Sequence, residues 1–336
     1  MKRLPIAQLA APSVLVALVG LLGTLVSRSS EGYFVDSLVK VGIVVSLYTF
    51  IGNSGVLSFG HVSFVALGAW VAGVLAVPSA EKPAIMPNLA HFLRHTTVGN
   101  LPSLVLAAVA GGAFALVVGL ALMRLSGLAA GIATFGVLEI THNLLRYYEK
   151  IGPGLNTFSS VPETTGLLQA TVGALIAIGV AFGYQRSRFG RMLRATREDG
   201  PAASAVGISV YRQRLGAFVV SGVLAGLAGG LYVHLLPLNT ESLYLDLTFL
   251  TLAMLVVGGT TSLWGAVVGA LAVSALDSFL AQAENGVAVL GGTLDLPAGT
   301  RLVVVGVLMA LVLILRPSGL TGGREFALPR WGRWQR

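Results

Sequence analysis

RSRFGRMLRATREDGPAASAVGISVYRQR, residues 186–214, is the stretch from which the organisation of the chain can be read. It carries Arg186, Arg188, Arg191, Arg194, Arg197, Arg212 and Arg214 and separates two apolar runs, 166–184 and 215–236. Each run is close to the ~20 residues a helix needs to cross a bilayer. A connector this rich in arginine belongs on the cytoplasmic side of a membrane. Inside it, Asp199 can cap a short helix with Pro201 at an early position, and Gly207 can end it. Ala202, Ala203, Ser204, Ala205 and Val206 fill the turns between. Two readings are open. The segment is a solvated connector obeying the positive-inside rule, or its small side chains let a cytoplasmic partner dock.

Outward from this segment the same apolar pattern repeats. Runs at 9–26, 34–51, 58–77, 101–123, 128–145, 245–257, 263–280 and 302–315 join the two flanking ones. Only 11% of the 336 residues are charged and mean hydropathy is +0.83, whereas soluble domains carry roughly 25% charged residues. That excludes a water-soluble enzyme and a disordered chain. Forty-three glycines without a collagen period suit close helix packing in lipid. With no cysteine, disulfides and thiol chemistry are excluded. The expected fold is an all-α polytopic integral membrane protein of about ten helices, eight or nine full spans with re-entrant pieces being an equivalent reading. Lys2 and Arg3 before the first run resemble a signal peptide. No small-residue cleavage site follows, so an uncleaved first helix is expected.

Alternating ten spans from an inner N-terminus puts 1–8, 52–57, 123–127, 185–214, 258–262 and 316–336 on one side. These segments hold 15 of the 22 basic residues and, of the 14 acids, only Glu198, Asp199 and Glu325. The bias predicts that both termini are cytoplasmic. It also explains the net charge of +8 as topology, which removes the argument for nucleic-acid binding. Residues 1–323 form the expected membrane unit, and 324–336 form a basic tail. Tyr244, Trp264, Trp331 and Trp334 suit interfacial anchoring.

The stretch from Phe189 onward resembles branched-chain amino acid ABC importer permeases of the M type (LivM-like). Their FGR-x-L-x-A-x-R-E, A-A and G-I pattern is met by Phe189, Gly190, Arg191, Leu193, Ala195, Arg197, Glu198, Ala202, Ala203, Gly207 and Ile208. GNSGVLSFGHVSFVALGAW (52–70), MRLSGLAAGIATFGVLEI (123–140), GPGLNTFSSVP (152–162), VGGTTSLWGAVVGA (257–270) and the segment 301–323 are similar to further elements of that family. The family's Gly-Pro is replaced by Gly265-Ala266, and Asn156 is followed by Thr157. The outer loop 78–100, with His91 and His95, adds nothing to the resemblance. The resemblance implies that Phe189, Gly190, Arg191, Arg197, Glu198, Ala202, Ala203 and Gly207 dock an ATPase. It further implies a second, H-type permease, two cytoplasmic ATPases and a periplasmic binding protein. No Gly-Lys dipeptide occurs, so the chain cannot build a P-loop. ATP and Mg²⁺ would be held by partner subunits, with no cofactor, metal or catalytic residue on this chain.

Polar groups inside apolar runs are candidates for a translocation path. Glu139, His142, Asn143 and Arg146 share one helix face by their i, i+3, i+4 and i+7 spacing. They could meet the two charges of an amino acid, or form an internal pair with Arg146 reaching the headgroups. Asp36 and Lys40, at i, i+4, read as a self-neutralising pair. Two glycine-rich breaks, at Gly52, Gly55 and Gly60 and at Gly258, Gly259 and Gly265, carry Asn53, Ser54, Ser58 and His61, and Thr260, Thr261 and Ser262. They read equally as an unwound path or as close packing.

Rival functions are an ABC permease for urea or amides, an ion-coupled secondary transporter, and an intramembrane serine protease. The protease reading rests on Gly52-Asn53-Ser54-Gly55, which has the G-x-S-G form. It needs a histidine from another helix to activate Ser54.

Overall fold

A computed structural model describes residues 4–26, 28–284, 286–289, 292–294, 296–297 and 299–326. Its long helices are α1 (Leu4–Thr24), α2 (Arg28–Ser54), α6 (Asn100–Leu122), α7 (Gly127–Tyr147), α8 (Leu167–Arg186), α11 (Val210–Val233) and α13 (Leu263–Glu284). All seven are long and apolar enough to cross a membrane. Three shorter apolar helices complete the set: α3 (His61–Ala76), α12 (Leu245–Gly258) and α14 (Thr300–Leu315). Each of the ten apolar runs in the sequence is one of these helices. Short helices α4 (Lys82–Ile85) and α5 (His91–Arg94) lie in the loop before α6, and α9 (Arg188–Glu198) and α10 (Gly200–Ala205) lie between α8 and α11. One departure from the all-α expectation is a small antiparallel hairpin, β1 (Val287–Val289) with β2 (Gly292–Leu294). Trp331 and Trp334, with the basic tail beyond 326, lie outside the described residues, as do Lys2 and Arg3.

Hydrogen bonds between connecting segments sort into two ends. At the basic end, Arg197 donates to the Gly52 carbonyl (2.7 Å), Arg214 to Leu125 O (3.1 Å) and Arg186 to Gln8. Glu325 accepts from the Leu263 and Trp264 amides there (2.9 and 3.2 Å). At the opposite end, Asn88 donates to Glu149, Phe158 bridges Leu238, and Thr165 N–H donates to His234 O (3.1 Å). Segments joined at the basic end are separated by even numbers of apolar helices, and among the described residues none joins a segment of the other end. This is the parity that ten alternating crossings produce. The described chain therefore begins and ends at the basic end.

The core is built around α11, which packs on α2, α3 and α6. Small residues permit it. Gly222 and Gly226 of α11 face Ala107, Gly111 and Ala115 of α6, and Gly68 of α3 lies on the Gly226 backbone. This is the close approach that small residues allow between membrane helices. A Cβ on Gly229 would overlap the Val65 carbonyl oxygen. Gly229→Val is therefore expected to destabilise the bundle by about 1–3 kcal/mol. Unfolding in mixed micelles would measure it, and a variant of unchanged stability would refute the close contact.

α3 and α12 are short, at 16 and 14 residues. Each abuts a glycine break at the basic end. Non-helical backbone is tolerated at membrane depth where it is buried in protein or lines a cavity; Gly52, Ser58, Gly60, Gly258, Gly259 and Ser262 are buried, whereas Gly55, Leu57 and Thr261 are exposed. Phe59 N–H donates to Thr134 Oγ1 (3.1 Å), and Gly60 rests on the Thr134 carbonyl. At the second break, Leu320 N–H donates to Val257 O (2.8 Å) and Thr321 Oγ1 to Gly258 O (2.9 Å). Gly259 adopts φ +120°, which L side chains rarely reach.

Candidate functional site: a docking arm, two breaks and an ion-pair chain

α9 and α10 form an arm on the basic end. The Asp199 carboxylate caps α10 by accepting from Ala202 N–H (2.9 Å), and Pro201 follows at the start. Gly207 has φ +84°, its N–H donates to Ser204 O (3.0 Å), and Ile208 N–H donates to Ala203 O (3.0 Å). These two bonds complete a Schellman motif. Ala202, Ser204, Ala205 and Gly207 are exposed, and Val206 is 77% exposed. Ala203 is instead turned inward. Phe189 is exposed, as are Arg191 and Glu198. Gly190 is buried, where a Cβ would overlap the Tyr184 carbonyl, so it seats α9 on α8. Arg197 also faces inward: its guanidinium holds Gly52 O, and its stem lies beside Gly55 (φ +70°). The arm is thus tied directly to the first glycine break.

Of the sequence-selected polar residues, Ser54, Thr260 and Arg197 line one polar cavity of about 420 Å³ at the basic end. Ser58 and His61 do not line it. His61 lies between Ser58 Oγ (2.8 Å) and Ser221 Oγ (2.9 Å), enclosed by the Phe50, Phe64 and Phe218 rings. Asn53 donates to Thr49 O (3.0 Å), and its Oδ1 is buried without a partner among the described residues. Ser262 caps α13 through Gly265 N–H (2.9 Å). Ser54 Oγ accepts from Val56 N–H (3.1 Å), and no described histidine bonds it. The arrangement a serine protease would need is not formed by these residues.

The shared face of α7 is partly engaged by its neighbours, with His142 Nδ1 and Arg146 Nε buried without a partner among the described residues. Glu139 accepts from Asn143 Nδ2 (2.7 Å) and from the Tyr244 hydroxyl, and His142 stacks on the Tyr244 ring. Arg146 pairs with Glu241. Tyr244 is therefore a packing residue as well as an interfacial one. In the loop between α3 and α6, burial lowers the Lys82 ammonium from its ordinary value, and it donates to Leu93 O (2.8 Å) and Thr96 O (2.5 Å).

The sequence reading missed the longest chain of ion pairs among the described residues, with Lys40 and Asp277 buried and Asp36 and Arg301 partly exposed. Asp36 and Lys40 (2.6 Å) are not a closed pair, because Lys40 also reaches Asp277 Oδ2 (3.2 Å). Asp277 Oδ1 in turn accepts from Arg301 Nε (2.9 Å). Two acids and two bases from α2, α13 and α14 thus make a neutral chain near the end opposite the arm. The only sequence signal for it was the presence of ionisable residues in or beside apolar runs.

A bundle of apolar helices with glycine breaks, an exposed arm at its basic end and a chain of ion pairs near the other has the build of a membrane transport protein. Residues 29–313 match the family described as branched-chain amino acid transport system / permease component, and the chain belongs to that family. It is 26% identical to the high-affinity branched-chain amino acid transport system permease protein LivM of Salmonella typhimurium, covering 88% of this chain and 71% of that protein. It is 32% identical to the probable branched-chain amino acid transport permease LivH of Methanocaldococcus jannaschii, over 44% of this chain and 45% of that one. It is also 28% identical to the xylose transport system permease XylH of Escherichia coli, over 47% and 38%. No solved structure matches it significantly.

Proposed function

We propose that the chain is the permease subunit of an ATP-driven importer that moves branched-chain or related amino acids inward by alternating access. The carrying observation is the arm: a capped helix with small and apolar side chains exposed, fastened through Arg197 to the break after α2. A partner that moves the arm would move the break. The energy comes from cytoplasmic ATPases, which hold ATP and Mg²⁺. A second, H-type permease and a periplasmic binding protein complete the system. Both termini are cytoplasmic and the membrane is the bacterial inner membrane. Residues 1–323 act as one permease unit with 324–336 as a basic tail. The α7 face, already internally paired, is a weaker candidate for the path than the cavity at Ser54 and Thr260.

Vesicles containing the chain with its partner subunits should take up leucine only when ATP is present. Uptake by the purified chain alone on an ion gradient would overturn this reading in favour of a secondary transporter. Uptake of urea in place of leucine would move the substrate class.

A further inference from the structure

At the end opposite the arm, α12 and α14 enclose a cavity of about 350 Å³, within the range of small-ligand pockets. Its wall is apolar, made chiefly by Phe249 and Leu250 of α12 and by Val305 and Met309 of α14. Three charged side chains break that wall: Asp246, at the start of α12, Arg301, at the start of α14, and Asp277 of α13, whose two carboxylate oxygens are already taken by Arg301 and Lys40. Asp246 is exposed and has no hydrogen-bond or ion-pair partner among the described residues. Arg301 spends its Nε on Asp277, and its two terminal nitrogens have no partner among the described residues. Asp277 is held from behind by Lys40 (3.2 Å), so the ion-pair chain fixes where the guanidinium stands. Glu139 on α7 differs in this respect from Asp246, because Asn143 and Tyr244 already occupy its carboxylate.

A carboxylate and a guanidinium with donors to spare, lining one largely apolar cavity, match a ligand with an ammonium, a carboxylate and a hydrocarbon tail. Guanidinium donors suit a carboxylate geometrically. We propose that the α12–α14 cavity binds an apolar α-amino acid, its carboxylate on Arg301, its ammonium on Asp246 and its side chain between Phe249, Leu250, Val305 and Met309. Asp277 and Lys40 are positioning residues. The inference rests on the transport reading for the ligand's class; the cavity supplies the place.

The chain has no cysteine, so a single introduced thiol reports on the cavity. Leu302→Cys, on the cavity wall, is reacted with a small methanethiosulfonate in membranes containing the full chain and its partner subunits. L-leucine at about ten times its Kd should slow labelling about tenfold. Isoamylamine and 4-methylpentanoate, each lacking one charge, should not protect at the same concentration. Leu128→Cys, on the exposed face of α7, should be indifferent to leucine. Asp246→Asn, at an exposed unpaired position, should raise the leucine concentration needed for protection about tenfold or more, the scale of a lost charge-assisted bond. Arg301→Gln should do the same.

Labelling indifferent to leucine, in membranes that still take up leucine with ATP, would overturn the site and leave the transport reading standing. Protection without ATP-driven uptake would do the reverse. Labelling that is slow until phospholipid is removed, whatever the leucine concentration, would show a lipid in the groove and sink the proposal.

Discussion

Asp277→Leu is expected to destabilise the protein by about 3–5 kcal/mol, the cost of breaking a buried ion pair from one side. Asp277 is 3% exposed, and each carboxylate oxygen accepts from a different base, Lys40 on α2 and Arg301 on α14. Its removal leaves Lys40 with Asp36 alone and Arg301 with no acidic partner among the described residues. A carboxylate elsewhere on the surface would cost about 0–1 kcal/mol when lost. Unfolding of Asp277→Leu in mixed micelles, against wild type, measures the difference, and a loss below about 1 kcal/mol would refute the chain of ion pairs. Lys40→Met combined with Asp277→Leu should cost less than the two separate losses added together, because the residues are direct partners. Additive losses would show that the two act independently.

The second large effect is on assembly. Ala202→Arg combined with Val206→Asp should abolish co-purification of the cytoplasmic ATPases while the chain still inserts and folds. Both positions are exposed, so the bundle loses no buried contact. Capping survives as well, because the Ala202 group that Asp199 accepts from is its backbone N–H. An unpaired charge desolvated at an interface costs about 2–5 kcal/mol, or roughly thirtyfold to several-thousandfold in affinity. ATPases recovered at wild-type level with the double variant would sink the docking assignment. Ala203→Arg is a poorer test. Ala203 is 5% exposed, and a bulky charge there would unseat α10 itself.

Much of the fold was legible because it is set by short stretches of chain. Hydrocarbon length selects apolar runs of a definite size, so ten runs became ten helices. Charge bias placed the connectors on two sides, and hydrogen bonds such as Arg197 to Gly52 and Phe158 to Leu238 join only connectors of the same side. The α10 helix was readable to within a residue, since Asp199, Pro201 and Gly207 act on backbone groups a few positions away.

Sites were less legible. Four residues on one α7 face left a ligand site and an internal pair both readable, and only the tertiary contacts with Tyr244 and Glu241 show which partners Glu139 and Arg146 meet. Ser58 and His61 looked like path residues, but Ser221, 160 positions away, closes their hydrogen bonding. Ala203 sits at the centre of the arm's motif, and the Schellman turn that ends α10 uses its carbonyl, while its side chain faces the protein.

The chain's own order of residues determined the membrane class, the alternation of spans, the basic end and the capped arm, because hydropathy, charge bias and capping act locally. Only the folded bundle decided that Asp36, Lys40, Asp277 and Arg301 meet, and that Asp246 and Arg301 face one apolar cavity. A buried charge must find a partner, but that requirement does not say which of several distant opposite charges will supply it. Helix packing makes the choice, as where it brings Lys40 to Asp277, 237 positions away.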